Sequence, residues 1–191
     1  MSTAGVFLRS PTSSDLATTE RWLEDPKVNR WFDFGQGRKT LNRTALLGLA
    51  RNSANVFRVF SADPGGAPVG LVVVQDVRCG PRCGHLWVIR GRFDEGGKDI
   101  TFHAVVETMR LAFCNGGASS VNIWIAEMNW PSIALSRRVG FKEAGRLRGA
   151  HLLDGRRCDR LVFDMLAEEF RERHGLAEAA GETEPMEQSD A

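Results

Sequence analysis

The chain has 191 residues, 42% of them hydrophobic and 26% charged, with a net charge of +1. That balance supplies the core of one enzyme-sized domain and excludes collagen-like, wholly disordered and disulfide-scaffold classes. The longest aliphatic run, near Val69–Val74, is far too short to span a bilayer, and Met1–Gly5 lacks a basic start followed by a long apolar region, so a soluble, cytoplasmic protein is expected.

In chain order, Val6–Leu8 predicts a short strand, and Ser14 or Asp15 caps a helix running to about Asp25. Leu41–Arg51 predicts a second helix. Phe57–Ala62 and Val69–Val77 predict strands joined by the turn Asp63-Pro64-Gly65-Gly66. His85–Arg90 predicts another strand. A helix follows over about Asp99–Phe113, with Phe102, Val106, Met109 and Phe113 along one stripe. Ser120–Glu127 predicts a strand, then come a short helix and two final strands. The order β-α-α-β-β-β-α-β-α-β-β argues for an α/β sandwich. Residues 174–191 hold five acids (Glu178, Glu182, Glu184, Glu187, Asp190) and no Lys or Arg, which leaves 25 bases against 19 acids upstream. This stretch is expected to be an acidic disordered tail after a domain spanning 1–173. Cys79, Cys83, Cys114 and Cys158 lack a paired C-x-x-C pattern, so neither a metal site nor a disulfide framework is expected.

The short helix is the most informative element. In Asn129-Trp130-Pro131-Ser132-Ile133-Ala134-Leu135-Ser136-Arg137-Arg138-Val139-Gly140-Phe141, Asn129 suits an N-cap, Pro131 the first turn, and Gly140 the left-handed residue that ends the helix. Ser132 and Ser136 stand four apart on one face. Spacing alone also fits a plain capped surface helix.

This segment resembles the fourth conserved block of the GNAT superfamily of acyl-CoA N-acyltransferases, Asn-x-x-Ser/Ala, an apolar turn, often Tyr, then Gly-Phe. The run that follows strengthens the likeness: Gly145, Arg148, the turn Asp154-Gly155-Arg156, Asp159, Leu161–Leu166 and Glu168-Glu169. Together with Phe7-Leu8-Arg9, Asp15-Leu16, Trp22-Leu23, Asp25-Pro26, Val28 and Trp31, it is similar to the branch that acetylates ribosomal-protein N-termini and small amines. The likeness covers about residues 6 to 170. It implies the GNAT fold: a central mixed, mostly antiparallel sheet of six to seven strands flanked by about four helices, with a splayed cofactor cleft.

The resemblance also implies a donor site. The edge of the strand carrying Trp87, Val88 and Ile89 would pair with pantetheine. The loop Gly96, Gly97, Lys98, Asp99, Ile100 would hold pyrophosphate at a helix N-terminus, and Asn129 and Ser132 would complete the cleft. The loop departs from the family pattern, because Asp94 stands where Arg or Gln belongs and Asp99 where a small residue belongs. Two unit charges about 4 Å apart interact by roughly 1 kcal/mol in water and roughly 4 kcal/mol at an effective dielectric near 20. The acids Asp94, Glu95 and Asp99 therefore oppose a pyrophosphate unless they point outward or are paired, Asp99 acting as an N-cap and Arg90 or Arg92 compensating. Otherwise the donor is a thioester on a carrier protein's phosphopantetheine, or an aminoacyl-tRNA on the basic surface.

For the chemistry, an amine must lose a proton and attack the thioester, and a thiolate must leave. The chain has no Tyr, and Ser136 occupies the place of the family's usual acid. His85, alternating with Trp87 and Ile89, is one candidate base, with an unperturbed pKa of about 6.5. Glu127 at the end of the next strand is the other, or a carboxylate that binds the amine. Where the family often carries Glu, this chain has Trp124. For the acceptor, Trp31 and Phe34 would wall an apolar slot and Asp33 would hold a cationic amine, unless these aromatic residues pack as core. His103 would be a helix-side residue near the donor slot. The expected protein is thus an N-acyltransferase taking acetyl-CoA or another acyl thioester, without a metal, to a small-molecule or peptide amine, as a monomer or homodimer. A carrier-protein or tRNA donor, as in natural-product biosynthesis, and a catalytically silent binding module are the alternatives.

Overall fold

The computed structural model describes residues 5–176. Seven strands form one sheet in the order β1-β2-β3-β4-β5-β7-β6. In sequence these are β1 (Phe7–Arg9), β2 (Val56–Ser61), β3 (Gly70–Gln75), β4 (Cys83–Arg90), β5 (Ser120–Ala126), β6 (Lys142–Leu153) and β7 (Arg156–Leu166). Six α-helices accompany them: α1 (Ser13–Glu24), α2 (Pro26–Asn29), α3 (Arg43–Arg51), α4 (Ile100–Arg110), α5 (Trp130–Val139) and α6 (Ala167–His174). Every strand pairing is antiparallel except β4 with β5. This is the GNAT fold.

The sheet is buried on both faces at its centre, so β3 is apolar without alternation. Leu71 and Val73 face a core built with Leu16 and Leu23 of α1 and Leu46 of α3. Val72 and Val74 face the other core, with Ala104, Val105 and Met109 of α4 and Phe170 of α6. At about 25 cal/mol per Å² of apolar surface, these two layers supply most of the drive to fold. Strand β4 divides its side chains the same way, Trp87 and Ile89 toward the first core and Leu86 toward the second. Gly91 lets Trp22 of α1 lie against the chain where β4 ends, since a Cβ there would meet the indole at 2.0 Å.

Several elements differ from the sequence-based expectation. The cap of α1 is Thr12, not Ser14 or Asp15; Asp15 sits at N3 of a capping box and accepts from the Thr12 N–H at 2.7 Å. The buried stripe of α4 runs through Ile100, Ala104, Val105, Thr108 and Met109, leaving Phe102 and Val106 only partly covered. Its end widens into a π-helical turn over Leu111–Asn115. Helices α2 and α6 were not anticipated. Because α6 reaches His174 and Leu176 packs on the core, the folded part extends past the expected boundary at 173. The acidic stretch after it lies outside the described residues. No helix among the described residues is long and apolar enough to cross a membrane.

Candidate active site

Strands β4 and β5 touch only through Cys83–His85 against Ser120–Asn122, and beyond that point no pairing joins them. From Leu86 and Ile123 onward the two strands splay, while β4 stays paired to β3 through Arg90 and β5 to β7 through Ala126. The β5-facing backbone groups of β4 are therefore left without a strand partner. His85 stands at the apex of this wedge, opposite Asn122.

The His85–Asn122 contact fixes a tautomer. The Asn122 Nδ2 amide donates to the Gly84 carbonyl at 3.0 Å, so Oδ1 is the atom facing His85 Nδ1 at 2.8 Å. Nδ1 is then the donor in this contact, and Nε2 takes no part in it. A neutral imidazole with an available Nε2 is a proton acceptor.

Two cavities meet at the wedge. The larger, about 630 Å³, is lined by His85, Trp87 and Trp124 from the sheet, by Trp31 to Phe34 after α2, by the face of α3, and by Ser132, Leu135 and Ser136 of α5. The second, about 500 Å³, lies between the end of β4, the start of α4 and α5. Trp31, Phe32, Val88, Asn129, Ser132 and Leu135 line both, so the two spaces adjoin across one partition. The second cavity is bordered by Lys27, Arg90, Lys98 and Arg138, and no carboxylate among the described residues lines it.

The acidic loop is neutralised within the protein. Asp99 occupies the N-cap position of α4 but makes no capping hydrogen bond; instead it pairs with Arg138 of α5. The Arg138 hydrogen bond and charge hold its carboxyl below the usual range. Glu95 pairs with Arg92 at 2.9 Å, and Asp94 is exposed. Arg90 organises the loop, donating to the carbonyls of Phe93 (3.2 Å), Glu95 (3.0 Å) and Gly97 (3.0 Å). In a trans peptide the N–H points opposite to the C=O, so the N–H groups of Asp94, Gly96 and Lys98 turn away from that guanidinium. None of them donates to another backbone carbonyl.

The candidate residues from the sequence separate clearly. Trp87 and Ser136 line the larger cavity, Ile89 and Lys98 the smaller, and Val88, Asn129 and Ser132 both. Ser136 is only 4% exposed. Asn129 uses its side chain to cap α5, accepting from Ser132 N at 3.4 Å. Gly96, Gly97, Asp99 and Ile100 line neither space; Gly96 gives room to the Ile100 side chain, which a Cβ would meet at 2.3 Å. His103 packs beside Phe102 and lines neither.

Two placements correct the sequence reading. Glu127 lines neither cavity: it accepts from Asp159 N at 2.9 Å and from Arg146 at 3.0 Å, so it braces the β5 end. Asp33 lines the larger cavity, but one of its oxygens accepts from Gly35 and Gly37 N–H and the other from Arg160 at 2.5 Å. Its charge is already paired with that of Arg160. Trp31 and Phe34 do line the cavity, and Phe34 also packs, stacked on Phe32 at 5.3 Å and edge-on to Trp87 at 5.4 Å. Sequence reasoning missed Phe32, Gln75, Trp124 and the α3 face as lining. Only Trp124 carried a signal, standing where a carboxylate was expected.

Comparison with known proteins agrees with this geometry. The sequence model described as acetyltransferase (GNAT) domain matches residues 6–142. A relative from Bacillus subtilis (strain 168), the SPbeta prophage-derived uncharacterized N-acetyltransferase YokL, is 28% identical over 120 residues, 62% of this chain and 67% of that protein. Among solved structures, spermidine N-acetyltransferase from Vibrio cholerae in complex with CoA and spermine superposes with a TM-score of 0.75 at 17% identity, covering 88% of this chain and 99% of the other. RimJ of Mycobacterium smegmatis in complex with CoA-disulfide gives 0.71 at 23% identity, covering 90% of each. These structural likenesses speak to the fold.

Proposed function

The chain belongs to the acetyltransferase (GNAT) domain family and is an acyltransferase, and from that premise we propose that it moves an acyl group from free acyl-CoA, acetyl-CoA by default, to an amine. The observation that carries the choice of donor is the charge of the second cavity: Lys27, Arg90 and Lys98 border it beside the Arg138–Asp99 pair, and no carboxylate among the described residues lines it. A carrier-protein phosphopantetheine needs the wedge but not this cluster. Free CoA needs both, because its pyrophosphate and 3′-phosphate must be neutralised.

In this reading the pantetheine arm pairs with the free edge of β4 at Trp87, Val88 and Ile89, beside Asn129 and Ser132. Its phosphates meet Lys98, Arg90 and Lys27 in the second cavity. The acceptor enters the larger cavity. His85 Nε2 takes a proton from the ammonium, and the freed nitrogen attacks the thioester carbonyl. As the C–N bond forms, the C–S bond breaks. The thiolate leaves beside Ser136, whose hydroxyl can donate to sulfur, and takes up the second proton, which the new amide nitrogen sheds once the C–N bond has formed. A thiol of pKa about 8.5 leaves without a strong acid, so the absence of Tyr is no obstacle.

The test is calorimetric titration with acetyl-CoA and with S-acetyl-pantetheine at low salt, followed by thiol release in the presence of an amine. Acetyl-CoA should bind in the micromolar range, at least tenfold tighter than the pantetheine thioester, and should weaken as salt rises. Equal binding of the two would overturn free CoA as the donor and turn attention to a carrier protein.

A further inference from the structure

Resting on the reading of the larger cavity as the acceptor side, we infer that the acceptor is a primary amine on an apolar, aromatic-sized body, and that Gly48 sets the room for that body.

The cavity's charge excludes an acceptor bearing several ammonium groups. Among the described residues its only carboxylate is Asp33, which already accepts from the Gly35 and Gly37 amides and is paired with Arg160. The aromatic walls do not replace it as cation binders. The Trp124 ring already carries Arg160 at 3.9 Å, Trp31 carries Arg30 at 5.1 Å, and Phe32 and Phe34 stack on each other. A second ammonium buried here would lose its water without gaining a partner. A single amine fares differently. Apolar surroundings favour its neutral, nucleophilic form, and His85 accepts the proton.

Helix α3 shows what lies opposite these walls. Ala45, Gly48, Leu49 and Asn52, spaced as one helical face, line the cavity. Glycine inside a helix is unfavourable relative to alanine. Nothing structural requires it at 48: the residue has ordinary helical torsions, and a Cβ built there meets no atom within 4 Å. What glycine supplies is open space on the α3 side of the cavity, where the residue is exposed.

The experiment compares acetylation of 2-phenylethylamine, n-propylamine and spermidine by the full chain and by Gly48→Ala and Gly48→Leu. The wild type should prefer 2-phenylethylamine to spermidine by at least a hundredfold in kcat/KM. Gly48→Leu should lower the ratio of kcat/KM for 2-phenylethylamine over n-propylamine at least tenfold, mainly through KM. A ratio measured within one variant is insensitive to loss of folded enzyme. Gly48→Ala, which adds one methyl to that space, should lower the ratio in the same direction but by less than Gly48→Leu does. Preference for spermidine, or an unchanged ratio in Gly48→Leu, overturns the inference while leaving the transferase reading intact. If acetyl-CoA binds but no amine is acetylated, the transferase reading fails instead. Quenching of tryptophan fluorescence by 2-phenylethylamine then decides the cavity by itself: lost in Gly48→Leu, it supports the inference; equal in both, it overturns it.

Discussion

At the scale of single residues, the site depends on hydrogen bonds that define what each side chain is still able to do. His85 and Glu127 are both plausible bases by type, yet one keeps a free nitrogen and the other has both oxygens engaged. His85→Ala should therefore lower kcat by about 10²- to 10⁴-fold, the usual contribution of a general base, with KM for acetyl-CoA changed little. Ser136→Ala should cost less than about tenfold, because the thiolate is a good leaving group. Steady-state kinetics at saturating amine measure both, and a larger loss at Ser136 than at His85 would reverse the assignment. Adjacent residues in the chain made His85, Trp87 and Ser136 legible beforehand. The quenching of Asp99 by Arg138 and of Asp33 by Arg160 was not legible, since those partners lie on separate elements and only the folded sheet brings them together.

At the scale of elements, periodicity placed β2 to β5, α3 and α5 within a few residues, because each carries an apolar pattern with a cap or turn at its ends. It failed where the signal was another element's chemistry. The start of α1 is set by Asp15, whose carboxylate reaches back to Thr12 and also pairs with Arg9 on β1. Burial pushes this carboxyl up, but hydrogen bonds from Arg9 and Thr12 and the guanidinium charge more than offset it, leaving the pKa at about 2. The folded pKa lies below the unfolded value of about 3.9, so the linked stability is present above pH 4 and is lost as pH falls toward 2. The shift corresponds to about 2 kcal/mol at neutral pH. Asp15→Asn should lower Tm by about 4–8 °C at pH 7, and the gap to wild type should narrow steadily between pH 4 and pH 2. Thermal melts across that window check it; a gap that is independent of pH would show that the ion pair contributes nothing.

At the scale of the whole molecule, the sheet consists of two parts, β1 to β4 and β5-β7-β6, hinged on the three residue pairs between Cys83–His85 and Ser120–Asn122. The opening that makes the site is also a weak seam in the sheet, because the backbone groups lining it lack strand partners on that side. A donor that pairs with β4 and touches α5 closes that seam, and it binds only the folded chain. At a concentration one hundred times its Kd, CoA should therefore stabilise the protein by about 2.7 kcal/mol. For a domain of this size that raises Tm by about 5–10 °C. The gain should be local as well as global: amide hydrogen exchange should slow most in Leu86–Arg90, in Ile123–Ala126 and in the Gly96–Lys98 loop, and little in β2 and β3, which are already fully paired. Protection confined to the loop would mean that the phosphates dock while the wedge stays open, and the pantetheine arm would then have to be placed elsewhere.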